Sequence, residues 1–221
     1  MAVVTGAGPA RLSGTGRLAD DLYLMAHDDR TGKPLLQPRA AGLGLAGGLL
    51  AELTLDGTIE VQPGGIAITN RTPPQDALAS SVLGLLLREY QQHPPRTWLV
   101  FLARTAAQDV AGRLELSGYL TRTAARPWRA QRWVPVNSDC AFAPVARVQA
   151  TLRASRPVTQ AQAAQAGLAV ACGLGSRLWP YAPPHARRWL QEALVQLDPG
   201  LREVIAQTQA AVDSALLAHR V

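Results

Sequence analysis

Residues 38–53, PRAAGLGLAGGLLAEL, constrain the fold more than any other stretch of this chain. The apolar run, residues 40–55, is interrupted only by Glu52 and is too short to cross a bilayer, so it is expected to pack inside a protein. Pro38 can open a helix, because the first turn has no use for its missing N–H. Gly42, Gly44, Gly47 and Gly48 each weaken a helix, and their presence predicts close approach of neighbouring elements. Residues 42–47 also match GxGxxG literally. A dinucleotide site needs a buried strand leading into that motif. Pro34 and Pro38 occupy the place of such a strand, so the glycines are assigned to packing.

Around this helix the pattern is mostly helical. Leu18, Leu22 and Met25 mark one face of a first helix, with Asp20 and Asp21 in its first turn, where the helix dipole favours acids. Residues 28–32, DDRTG, are turn chemistry. Residues 58–61 and 66–69 alternate around Pro63-Gly64-Gly65 and predict a β-hairpin. Residues 75–90 form an amphipathic helix stopped by Pro94-Pro95. Residues 98–103 are a buried segment of undefined type. Residues 105–117 are helical and end at Gly118. Residues 119–136 read as a second hairpin, and from Phe142 onward the chain is helical with breaks at 156–157, 173–175, 183–184 and 199–200. Residues 1–17 are small, Gly-rich and aperiodic and are expected to be a flexible tail. Residues 18–221 then form one domain, since no linker forces a boundary.

Hydrophobic residues make up 48% of the chain and charged residues 17%, which supports a sizeable core and excludes global disorder. The net charge is +6, and Lys33 is the only lysine. Arginine presents a planar fork of donors that suits phosphate, so an acidic lipid surface or a nucleic acid is the expected kind of partner. A GC-rich coding bias is an equally simple source of the same charge. Cys140 and Cys172 are too few for a disulfide framework or a metal cluster. The first residues lack a basic segment followed by a long apolar run, so no signal peptide is expected and the cytoplasm is the default compartment.

No constellation calls for catalysis. His27, His93, His185 and His219 are scattered without ligand spacing and are expected at surfaces or caps. The Asp20-Asp21 and Asp28-Asp29 pairs are explained by capping and the helix dipole. Neither catalytic residues, a metal nor a cofactor are expected. The chemically loudest segment is 119–136, YLTRTAARPWRAQRWVPV, where Arg122, Arg126, Arg129 and Arg132 alternate with Trp128 and Trp133. Such a hairpin fits a membrane–water boundary, a nucleic-acid backbone, or a contact with the body or another subunit.

Residues 18–61, and within them the turn Asp29-Arg30-Thr31-Gly32 and the run Gly44-Leu45-Ala46-Gly47-Gly48-Leu49-Leu50-Ala51-Glu52-Leu53, resemble the Golgi phosphoprotein 3 family (the GPP34 domain). A second match is residues 110–120, ending in Gly118-Tyr119-Leu120. The resemblance extends to about Pro180. It implies a mainly α single domain, a core of helices ringed by amphipathic ones, with two short hairpins. In eukaryotic members a basic pocket binds phosphatidylinositol 4-phosphate, a hairpin supports self-association, and the protein carries cargo as an adaptor. Of the four pocket positions, this chain has Gln37 for a tryptophan, Ala46 for an arginine, Arg104 in place of a basic residue, and Ala107 for a second one. Arg39, Arg71 and Trp98 are nearby candidates to complete the pocket. The chain resembles a bacterial-type member.

The expected function is therefore a cytoplasmic, peripheral, non-enzymatic adaptor on anionic phospholipid. Its head-group residues are Arg104, Arg39, Gln37 and Arg71, and its membrane or oligomer hairpin carries Trp128, Arg129, Arg132 and Trp133. Protein cargo and self-association through residues 119–136 are further partners. The rival is a winged-helix-like nucleic-acid binder built on GRLELSGYLTR, weakened by a helix at 105–117 with few base-reading residues. A self-associating scaffold is the third reading.

Overall fold

The computed structural model describes residues 15–89, 91–123, 132–154 and 158–218. Along the chain run α1 (Leu18–Met25), α2 (Pro38–Leu55), β1 (Ile59–Gln62), β2 (Gly65–Ile68), α3 (Ala77–Arg88), α4 (Pro95–Leu102) and α5 (Ala106–Leu116). They continue as β3 (Leu120–Arg122), β4 (Trp133–Pro135), α6 (Ser138–Ala154), α7 (Gln160–Ala171), α8 (Gly175–Leu178), α9 (Ala186–Val195) and α10 (Pro199–Leu217), with a 3-10 turn at Trp179–Tyr181. The molecule is mainly helical, as expected, and both hairpins are present. β1 pairs antiparallel with β2, Ile59 opposite Ile68, and β3 with β4, Leu120 opposite Pro135.

α2 is the axis of the fold. Its residues from Ala40 to Leu53 are all buried. A helix apolar all round must be covered all round, and the four glycines are where the covers touch. A Cβ on Gly42 would lie 2.6 Å from the Ala103 carbonyl at the end of α4. One on Gly48 would lie 2.9 Å from the Ala19 Cα of α1. On Gly44 it would strike the Cys172 sulfur after α7, and on Gly47 the Thr208 hydroxyl of α10. Four glycines forgo roughly 4 kcal/mol of helix propensity against alanine. That loss is offset by close packing at all four positions, against backbone at Gly42 and Gly48 and against side chains at Gly44 and Gly47.

The segment of undefined type at 98–103 is part of α4, an eight-residue helix with Pro95 in its first turn. Pro95 starts this helix, while α3 has already ended at Arg88, with Glu89 in extended conformation, rather than at the Pro94-Pro95 pair. α6 begins at Ser138, four residues before the expected start, and runs through Pro144. Buried Ala141, Val145 and Val148 hold that helix in place although Pro144 donates no hydrogen bond. Residues 1–14 of the expected tail lie outside the described residues. Of the rest, Arg17 pairs with Asp76 at 3.5 Å and Thr15 hydrogen-bonds to Asp21.

The DRTG turn has two structural duties. Asp28 Oδ1 accepts from the Thr31 amide and hydroxyl, both at 2.7 Å. These bonds to the charged form hold the Asp28 carboxyl below its ordinary range. Gly32 has φ 63°, and its missing Cβ makes room for the Trp133 carbonyl of β4. The turn is thereby the seat of the second hairpin.

Asp20 and Asp21 do stand in the first turn of α1, but the dipole is not what places them there. They are 1% and 5% exposed. Asp20 accepts from Arg113 Nε at 2.7 Å, and the same guanidinium reaches Glu52 at 3.1 Å and Asp76 at 2.8 Å. Glu52 also accepts the Ala19 amide at 2.8 Å, capping α1 from another helix. Arg147 holds Asp21. One buried cation thus ties α1, α2, α3 and α5 together. Glu52 is the single break in the apolar helix because it belongs to this cluster.

Burial raises the Asp20 carboxyl to about 6, with Arg113 pulling it part-way back. Burial likewise raises Asp21 to about 6 against the pull of Arg147. Asp76 goes the other way: burial opposes, but the Ala79 amide and Arg113 outweigh it and hold it low. For Arg113, burial works against the charge, while Glu52, Asp20 and Asp76 more than compensate and keep it protonated. The native state therefore binds protons at Asp20 and Asp21 more tightly than the unfolded chain between 3.8 and about 6. Stability is expected to fall as pH rises through that window, by up to about 3 kcal/mol per group. Below 3.8, the contribution of Asp76 is lost instead. Thermal melts should show a higher Tm at about pH 5 than at about pH 8, by a few degrees. A Tm that climbs across that range would contradict the assignment.

Candidate functional site

Gln37 and Arg39 stand at the N-terminal end of α2, and Arg104 follows the residue of the α4 end that packs on Gly42. Gln37 is the N-cap residue, exposed, and its side chain makes no capping hydrogen bond. Pro38 has no N–H, so the first-turn donors come from Arg39 and Ala40. Those donors and the dipole make this end of an 18-residue helix electropositive. Arg39 is exposed and stands one turn before Gly42, on the same side of the helix. Gly42 lies against Ala103, and Arg104 follows directly. The missing Cβ of Gly42 therefore brings the two arginines to the same junction.

α4 adds an apolar component. Trp98, Leu99 and Leu102 face the core, and Trp98 is 8% exposed. Val100 and Phe101 point outward at 40% and 44% exposure. Phe101 stands edge-on to Trp98, with ring centroids 5.9 Å apart, and the Arg104 guanidinium sits over the Phe101 ring, 5.9 Å from its centroid. Beside them a groove of about 280 Å³ runs between α3 and α4, with Leu85, Trp98 and Phe101 as its apolar lining and Arg88, Glu89, His93 and Thr97 at its polar positions, His93 lying 3.7 Å from the Glu89 carboxylate. Phosphate-seeking cations and an exposed aromatic side chain occur together here. The sequence reading missed Val100 and Phe101. A helix started at Pro95 would have revealed them, because residues 98, 99 and 102 then share one face and 100 and 101 the other.

The remaining site residues fall elsewhere. Arg71 is exposed in the loop after β2, where the Asn70 amide donates to the Thr58 carbonyl beyond the C-terminus of α2. About 24 Å of helix separate Arg39 from Leu55, so Arg71 does not join Arg39 and Arg104. Trp98 lies under the junction rather than on it. Ala46 is fully buried and Ala107 half-buried. Trp128 and Arg129 lie outside the described residues, as does Arg126. Arg132 is half-buried, and its backbone carbonyl accepts the Thr123 amide at 2.9 Å. Trp133 is half-buried on the body: its indole N–H donates to Glu115 at 3.3 Å. Arg122 covers the ring at 5.1 Å while donating to the same Glu115 at 2.8 Å.

Residues 18–216 match the family model for Golgi phosphoprotein 3 (GPP34). The chain belongs to this family. The match starts at the residue where the sequence reading began the domain. No individual curated protein matches the chain significantly. In this GPP34 domain, the DRTG turn and the Gly-rich helix that carry the resemblance are a hairpin seat and a packing axis. Among the described residues, no helix is long and apolar enough to cross a membrane. His27 takes the expected cap role: its ring Nδ1 lies 2.8 Å from the Tyr23 carbonyl in the last turn of α1, the ring stacks on Tyr23 at 4.0 Å, and burial lowers its pKa.

Proposed function

We propose that this chain is a peripheral, non-enzymatic adaptor that binds anionic phospholipid on the cytoplasmic face of a membrane. The observation that carries the reading is the junction of the uncapped α2 N-terminus, Arg39 and Arg104 with exposed Val100 and Phe101. Long-range attraction of the +6 chain would bring it to the surface, with each cation near the lipid contributing about 1 kcal/mol. Phe101 would then enter the interface beside Arg104. A phosphatidylinositol 4-phosphate head group is the finer form of the same reading. Arg104 keeps one of the cations of the family pocket, and Gln37 offers it a neutral donor.

Co-sedimentation with vesicles of graded anionic content tests this. Arg39→Ala combined with Arg104→Ala is expected to weaken binding tenfold or more, at about 1 kcal/mol per arginine. Arg71→Ala, at the far end of α2, is expected to leave it unchanged. Equal binding by wild type and the double variant would defeat the assignment. A requirement for the phosphoinositide would establish the finer form.

Self-association is a second reading with its own support. Leu116 is 92% exposed and Val136 61% exposed, and both lie at the base of the second hairpin. The nucleic-acid reading loses its recognition helix, because Arg113, the only cation of α5, faces inward.

A further inference from the structure

A second cleft, of about 390 Å³, opens between α1, α6 and α7 and shares no element with the Arg39–Arg104 junction. Its volume falls within the range of small-ligand pockets, about 300–1,000 Å³. Leu18, Pro144 and Val148 are among its apolar walls. Its polar groups include Asp21, Arg147 and Gln165.

Gln165 is the unusual member. It is 7% exposed, and among the described residues neither the oxygen nor the nitrogen of its carboxamide has a hydrogen-bond partner. Leaving such atoms unpaired is costly, because each loses its bonds to water and gains none in return. Native proteins satisfy nearly all such groups, so an exception asks for a cause. A glutamine amide presents a donor beside an acceptor. Its natural complement is another amide, which offers an acceptor beside a donor. Arg147 lies on the same cleft with its side chain 42% exposed, and it holds Asp21. A guanidinium has five N–H donors, more than one carboxylate uses, so its fork can serve a second anion. None of the described lining side chains is aromatic. The cleft therefore lacks the stacking surface that a nucleobase would use.

We propose that this cleft binds an acylated amino acid unit, in which Gln165 pairs with the amide, Arg147 takes the adjoining carboxylate, and the aliphatic walls receive a small apolar side chain. The same unit occurs in free N-acyl amino acids and at the carboxyl terminus of a peptide. The site is independent of lipid binding, and neither reading requires the other.

The test is a titration of the full chain, read by NMR shift changes, with three probes. N-acetyl-L-leucine carries the whole unit. Its N-methylamide keeps the amide and loses the carboxylate. The tripeptide Gly-Ala-Leu presents the unit at a peptide end. Saturable shifts confined to α1, α6 and α7 are expected with the first, and binding about tenfold weaker with the methylamide. Tighter binding of the tripeptide would identify a peptide terminus as the source, and tighter binding of the acyl amino acid a small molecule. Gln165→Met, which keeps the length and removes the amide, is expected to raise Kd tenfold or more. Equal affinity for the methylamide, equal affinity in Gln165→Met, or no saturable shift at about 10 mM would each overturn the proposal. If the variant fails to fold, the methylamide comparison decides alone.

Discussion

Arg113→Ala is expected to destabilise the fold by about 3–5 kcal/mol, the range for removing one partner of a buried ion cluster. The substitution leaves Asp20, Glu52 and Asp76 facing one another, with Arg17 as the remaining cation at the rim. Glu52 is also the acceptor for the Ala19 amide, so its displacement would uncap α1. For a chain of this size, 1 kcal/mol corresponds to about 2–4 °C, and the Tm should fall by roughly 10 °C or more. The deficit should shrink at about pH 5, where protonation of Asp20 relieves the repulsion. Circular-dichroism melts of wild type and variant at both pH values measure this. A loss under about 1 kcal/mol would mean that the cluster is solvated and does not clamp the four helices.

Gly48→Leu is expected to cost about 3 kcal/mol or more through overpacking. Even a Cβ at this position would lie 2.9 Å from the Ala19 Cα, and a backbone atom cannot rotate away as a side-chain tip can. Either α1 lifts and Asp20 leaves Arg113, or α2 shifts and the contacts at Gly42, Gly44 and Gly47 fail. Gly84→Ala is the contrast. That glycine is also helical but has nothing within 4 Å of its Cβ position. It should therefore gain up to about 1 kcal/mol from helix propensity. Urea midpoints of the two variants should move in opposite directions. Movement in the same direction would show that Gly48 serves something other than the approach of α1.

Much of the architecture was legible because the physics behind it is local. Pro38 opening α2, the Pro63-Gly64-Gly65 turn, and Gly118 with φ 77° are set within a few residues by dihedral preference. The all-round apolarity and four glycines of α2 announced a buried, closely packed helix, and the structure supplies a neighbour for each glycine. α4 was illegible because eight residues are too few for a periodic signal, and Trp98 and Phe101 look alike until the core has taken a side.

The candidate site divides in the same way. Sequence by itself determined which side chains are available: arginine in place of lysine, Arg104 kept, Ala46 and Ala107 without charge. It also determined that Glu52 interrupts an apolar run, but not that Arg113, 61 positions on, answers it. Only the tertiary structure decided that Arg39 and Arg104 share an end while Arg71 lies at the other. It alone decided that Trp133 is seated on the body, and that Gln165 is buried with no hydrogen-bond partner among the described residues. These outcomes depend on helix packing directions and on the competition of side chains for one core. No local propensity encodes either, because the groups that compete are distant in the chain.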